Sequence, residues 1–147
     1  MASYDGYLYA GLGAAATDGQ VWRYDGSTWE KIASGGINGS WTNYAENVHS
    51  MAVYGNNLYV GIGRSTGDAE VWKWDGSSWS RVGGKGLNNS WDGGPITTES
   101  VESLMPYNGK LYAGLGNTVG DGTLWEFDGT DWTKVAGDGV NGSWVSG

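Results

Sequence analysis

Val71-Trp72-Lys73-Trp74-Asp75-Gly76-Ser77-Ser78-Trp79 decides the fold, because the chain contains it three times in slightly altered form. Its counterparts are Val21-Trp22-Arg23-Tyr24-Asp25-Gly26-Ser27-Thr28-Trp29 and Leu124-Trp125-Glu126-Phe127-Asp128-Gly129-Thr130-Asp131-Trp132. Each pairs aromatics at i and i+2 on one strand face, then offers an Asp-Gly turn whose glycine tolerates positive φ, then a Trp that opens a second run: a β-hairpin signature. Trp22, Trp72 and Trp125 are spaced 50 and then 53 residues apart, as are Trp29, Trp79 and Trp132, and Trp41, Trp91 and Trp144. The chain of 147 residues is therefore three copies of one unit of about 50, and the copy is the structural unit.

Working outward from the hairpin, a run Leu58–Gly63 precedes it, echoed by Leu8–Gly13 and Leu111–Gly116. Here Leu, Ala or Val, and Leu or Ile point one way while Tyr and Gly point the other, so both faces are apolar. A strand of that kind has to be covered on both sides, and its glycines leave room for a neighbouring layer to come close. Further upstream lies Val48–Tyr54, matched by Val101–Tyr107 but only by Met1–Tyr4 in the first copy, which begins late. Four strands per copy is the resulting count. After the hairpin comes a Gly-rich connector with Asn38-Gly39-Ser40-Trp41, Asn88-Asn89-Ser90-Trp91 and Asn141-Gly142-Ser143-Trp144. The link between copies two and three is three residues longer and carries Gly93-Gly94-Pro95, an insertion of the kind loops accept.

Composition agrees with an all-β chain, since 28 Gly and 14% aromatic residues suit short strands and tight turns better than helices. A net charge of −8 leaves no basic footprint for a phosphate backbone, so nucleic acid is excluded as a partner. No apolar window of about 18 residues exists, and the start Met1-Ala2-Ser3-Tyr4 has neither a basic nor an apolar stretch, so no membrane span or secretory signal is expected. With no Cys, disulfides and thiolate metal sites are excluded and the compartment leaves no mark on the sequence.

Four antiparallel strands repeated at this period describe the blade of a β-propeller, a linear β-solenoid being the runner-up. The Tyr-containing strand ending in glycines, the Val-x-x-Tyr-Asp strand and the following Trp (Leu8-Tyr9 to Gly13, Val21 to Asp25, Trp29) resemble the kelch-like propeller repeat in all three copies. The chain departs from kelch where that family has adjacent glycines, since Gly11 and Gly13, Gly61 and Gly63, and Gly114 and Gly116 are each split by Leu or Ile. The evenness of the copies and the Asn-x-Ser-Trp linker are similar to tachylectin-like and bacterial sugar-binding lectins built from Trp-rich blades. The expected boundaries are about 1–47, 48–100 and 101–147.

Propellers close with about four to eight blades, so three leave an apolar face bare at each end. The expectation is a homodimer forming one six-bladed ring, blade 3 of each chain docking on blade 1 of the other. A segment cut from a longer tandem array, or built as a module whose main property is self-assembly, accounts for the clipped first strand equally well.

Function is expected on the loops between strands two and three and on the linkers, which emerge together at one end of the blades. The candidate ligand-binding residues are Trp41, Trp91 and Trp144, Asn38, Asn88 and Asn141, and Asp18, Asp68 and Asp121. An exposed Trp covers the apolar side of a pyranose while amides and carboxylates take its hydroxyls, and repetition makes such binding multivalent. The leading reading is a lectin-like module that binds glycans. The competing one gives every tetrad a structural task, Asn starting a turn, Ser capping it and Trp plugging the seam between blades. A protein-interaction propeller is the other functional class. No metal or cofactor is expected, because lone repeated Asp residues do not make a calcium loop and the single His49 cannot build a transition-metal site. Nor is catalysis: no nucleophile and base pair stands out, and near-identical copies do not give acid and base the unlike surroundings they need. The Asn-x-Ser triplets match the glycosylation pattern simply through repetition.

Overall fold

The structure, a computed structural model, describes residues 1–15, 17–42, 47–91, 98–117 and 122–145. Among these residues twelve strands fall into three four-stranded antiparallel sheets, each a meander in chain order. The first holds β1 (Ala2–Tyr4), β2 (Tyr7–Leu12), β3 (Gln20–Tyr24) and β4 (Trp29–Ala33). The second holds β5 (Val48–Tyr54), β6 (Asn57–Ile62), β7 (Glu70–Trp74) and β8 (Trp79–Gly83). The third holds β9 (Val101–Tyr107), β10 (Lys110–Leu115), β11 (Thr123–Phe127) and β12 (Trp132–Ala136). The arrangement is propeller-like, with β1 and β2 against β5 and β5 and β6 against β9.

Two kinds of hairpin build each sheet. Tyr4 pairs with Tyr7, Tyr54 with Asn57 and Tyr107 with Lys110, so β1–β2, β5–β6 and β9–β10 turn in two residues. Both central residues have positive φ, as in Asp5 at 46° and Gly6 at 80°, the primed turn that matches strand twist. The Asp-Gly signal of the sequence instead closes a four-residue loop between the third and fourth strands. There Gly76 sits at φ 101° while the Asp75 carboxylate accepts the backbone N–H groups of Ser77 and Ser78, both at 2.8 Å.

The middle sheet fulfils the two-sided strand: Leu58, Tyr59, Val60 and Ile62 of β6 are all buried. Leu58, Val60, Ile62, Trp74 and Trp79 pack toward sheet one around Tyr9, Val21 and Ile32. Tyr59, Val71 and Val82 pack the other way, on Leu111, Phe127 and Trp132 of sheet three. The glycines of the second run are where the next sheet approaches most closely. A Cβ on Gly11 would lie 2.5 Å from Val48 Cγ1, and one on Gly61 would lie 2.6 Å from Val101 Cγ1.

Candidate functional site

Each fourth strand carries a β-bulge. Ala33 and Lys31 pair with Val21 and Trp22, which leaves Ile32 between them without a partner in the ladder. Val82 stands in the same place in β8, between Gly83 and Arg81, and Val135 in β12, between Ala136 and Lys134. A bulge turns its extra residue out of the ladder, so its carbonyl needs another donor.

The linker tetrad supplies one. Gly36, Gly86 and Gly139 take left-handed φ ahead of short 3-10 turns at Ile37–Gly39, Leu87–Asn89 and Val140–Gly142. Within them Asn38, Asn88 and Asn141 hold φ of 53°, 55° and 54°, a region Asn tolerates better than other side-chain-bearing residues. From that position the Asn38 amide donates to the Ile32 carbonyl at 3.3 Å, Asn88 to Val82 at 3.1 Å and Asn141 to Val135 at 3.0 Å. The hydroxyls of Ser40, Ser90 and Ser143 accept the N–H groups of Ser34, Gly84 and Gly137. Trp41 donates its indole N–H to the Gly19 carbonyl at 2.9 Å, Trp91 to Ala69 at 2.8 Å and Trp144 to Gly122 at 2.9 Å. The first Asn, the Ser and the Trp of all three tetrads are thus engaged within their own copy, while Asn89 of the second donates across to the Asp131 carboxylate at 3.1 Å.

What differs is the far side of the indole. Trp41 meets Trp72 and Trp79 edge-on with centroids 5.7 and 5.8 Å apart, and Trp91 meets Trp125 and Trp132 at 5.9 and 5.2 Å. Both plug seams and are 5% and 3% exposed, whereas Trp144 is 54% exposed. The fourth-strand Trp of the following sheet completes each seam. Trp79 donates to the Ile32 carbonyl and Trp132 to the Val82 carbonyl, each at 2.9 Å. Tyr hydroxyls bond the other way across the seam, Tyr4 to the Asn56 carbonyl at 2.9 Å and Tyr54 to the Gly109 carbonyl at 3.1 Å. These bulge carbonyls and tyrosines were not singled out by sequence reasoning. The recurrence of Tyr4, Tyr54 and Tyr107 at the tryptophan spacing was the available signal.

Of the loop carboxylates, Asp18 accepts the N–H groups of Ala14 and Ala15 at 2.8 and 3.0 Å, and these two bonds, Ala15 first, hold its pKa below the usual range. Asp68 closes the corresponding loop through its backbone N–H to Ser65 at 3.0 Å. Asp121 lies outside the described residues. The tetrads therefore lie at the same end of the sheets as Asp18 and Asp68, where Trp41 bridges from linker to loop through its bond to Gly19.

A separate hollow of about 90 Å³ opens among Tyr7, Arg23, Asp25, Thr28 and Glu30. Within it the Arg23 guanidinium pairs with Glu30 at 2.8 Å and lies 4.8 Å over the Tyr7 ring, while the Asp25 carboxylate accepts the N–H groups of Ser27 and Thr28. The equivalent strand position in sheet three is Glu126, whose pKa is lowered by hydrogen bonds from Lys110 and then Tyr112. Among the described residues no group of three or more His, Asp or Glu side chains is placed to hold a metal ion, and no helix is long and apolar enough to cross a membrane.

No protein-family model matches the chain, and no curated protein or solved structure is significantly similar to it.

Proposed function

We propose that this chain is a self-assembling propeller segment, in which the open face of the third sheet takes the open face of sheet one of a second copy. One observation carries this reading: residues buried wherever a seam exists are exposed at the two ends. Leu12 is 52% exposed while its equivalents Ile62 and Leu115 are 2% and 4%, and Trp29 is 48% exposed while Trp79 and Trp132 are 5% and 2%. At the other end Met105, Tyr107 and Trp144 stand open where Ala52 and Trp91 are buried. The two ends are the two halves of one seam, already made twice within the chain.

Apolar surface removed from water contributes about 25 cal/mol per Å², so joining the halves is the favourable outcome for both. Propellers close with about four to eight blades, and the only multiple of three in that range is six, reached by two chains. The contact is a homodimer built around one ring, and assembly, not a reaction, is the activity this reading assigns. Kelch-like or lectin-type ancestry fits the same architecture. Light scattering should return twice the single-chain mass of 15.6 kDa, and a stable single-chain mass at micromolar concentration would refute the proposal.

A second reading, carbohydrate binding, is favoured by Trp144, whose half-exposed indole offers a flat apolar face of the kind a sugar ring stacks on. It competes with closure for the same ring. Glycan-array binding that weakens as the dimer forms would support it, and an array blank at all concentrations would remove it.

A further inference from the structure

The reading above says that the ends join; the internal seams say how. Between sheets one and two, and again between sheets two and three, the contact has a fixed polarity. The trailing sheet presents the bulge carbonyl and a Tyr hydroxyl, and the leading sheet presents a Trp N–H and the carbonyl of a primed turn. The Ile32 and Val82 carbonyls each accept two donors, the Asn of their own linker and the Trp of the next sheet: Asn38 and Trp79 for Ile32, Asn88 and Trp132 for Val82. In sheet three the Val135 carbonyl takes Asn141 at 3.0 Å, and Trp29 of sheet one is the equivalent of its second donor.

We infer that two copies of the chain join head to tail by repeating this seam group for group: Trp29 donates its indole N–H to the Val135 carbonyl of the second copy, whose Tyr107 hydroxyl donates to the Gly6 carbonyl of the first. The Trp144 indole then takes the edge-on position against Trp22 and Trp29 that Trp41 holds against Trp72 and Trp79. Polarity follows from the internal seams. Both set the bulge carbonyl and Tyr hydroxyl of one sheet against the Trp N–H and turn carbonyl of the next, so repeating them brings the sheet-three face onto the sheet-one face. The interface is therefore heterologous, and a ring of two chains contains it twice.

This inference rests on the assembly reading, and its test separates the two. One variant, Trp29→Arg, spoils only the sheet-one face; another, Tyr107→Arg with Trp144→Arg, spoils only the sheet-three face. All three positions are well exposed in the single chain, at 48%, 68% and 54%, so the sheets should form, which circular dichroism checks. Should Trp29→Arg fail to fold, Leu12→Arg takes its place. By native mass spectrometry at high concentration, each variant alone should be monomeric and an equimolar mixture should give a one-to-one pair held by the single intact junction. Tyr107→Phe should weaken the wild-type dimer by about fivefold per junction, hence about 25-fold for two. A dimeric wild type whose single-face variants still dimerise alone, or fail to pair when mixed, overturns the head-to-tail register while leaving assembly standing. Tyr107→Phe that dissociates no more readily overturns the hydroxyl contact in the same way. A monomeric wild type overturns both.

Discussion

The indole N–H of Trp79 donates to the carbonyl of Ile32, 47 positions earlier and in the preceding sheet, at 2.9 Å. The bond joins a Trp that sequence reasoning places in a packed strand to a bulge residue that the ladder leaves free, and Trp132 repeats it on Val82. Truncating such a residue removes a large apolar body and leaves an acceptor short of a donor. Trp79→Ala should lower stability by about 3–5 kcal/mol, read from the midpoint of urea unfolding at unchanged slope. A loss under about 1 kcal/mol would mean that the seam between sheets one and two is not a cooperative part of the fold.

Gly61 offers a test that adds atoms. A Cβ there would fall 2.4 Å from Ser50 Oγ and 2.6 Å from Val101 Cγ1, the latter belonging to the next sheet. Neither neighbour gives way easily, because the Ser50 hydroxyl already donates to the Val101 carbonyl at 3.0 Å and Val101 is fully buried. Gly61→Ala should therefore cost about 1–3 kcal/mol through overpacking, although alanine ordinarily stabilises a strand relative to glycine. Thermal unfolding at or above the wild-type midpoint would show that the sheets are spaced more widely than this.

Much of this fold can be read before any coordinates. Tryptophan spacing gives the copies, the two-sided pattern of Leu58–Gly63 gives a sheet sandwiched between others, and its glycines mark the close approach to Val101. Less legible is which end of a copy meets which neighbour. Trp41 and Trp144 sit in near-identical tetrads, and only the presence of a following sheet makes one a plug and leaves the other open. The same limit hid the bulges at Ile32 and Val82, since a bulge depends on pairing register rather than on residue type. Turn chemistry was visible but its length was not: Asp5-Gly6 makes the two-residue turn, while Asp25-Gly26 begins a longer loop closed by the carboxylate.

The carboxylates of the four-residue loops make stability sensitive to acid. Asp25 accepts the N–H groups of Thr28 and Ser27, which lower its pKa to about 2, and Asp75 and Asp128 are lowered in the same way by Ser78 and Ser77 and by Asp131 and Thr130. A depressed folded-state pKa contributes stability that is complete above the unfolded value, 3.8 for Asp25, and is lost as pH falls through the folded one. The melting temperature should thus hold to about pH 4.5 and fall steadily toward pH 2. Asp75→Asn keeps an acceptor oxygen but no titrating charge, so it should start lower at neutral pH and lose less on acidification. Parallel pH profiles for the two proteins would remove this account.

The tetrads allow a direct comparison between a plug and its open twin. Trp91 is 3% exposed between Trp125 and Trp132, so Trp91→Ala should destabilise the fold by about 3–5 kcal/mol. Trp144 makes the same N–H bond at 2.9 Å, yet in a single chain its exposed ring has little packing to lose. Trp144→Ala in dilute, dissociated protein should shift the unfolding midpoint only slightly, whereas at concentrations where chains pair it should weaken the dimer as a core interface residue does. Intrinsic fluorescence checks the same point without a mutation. Trp29 and Trp144 leave water when the faces meet, so emission should move to shorter wavelength as concentration rises, and the shift should be reduced in Trp144→Ala. An emission maximum that stays constant across the full association range would mean that neither ring is covered by the partner chain, whatever mass the assembly has.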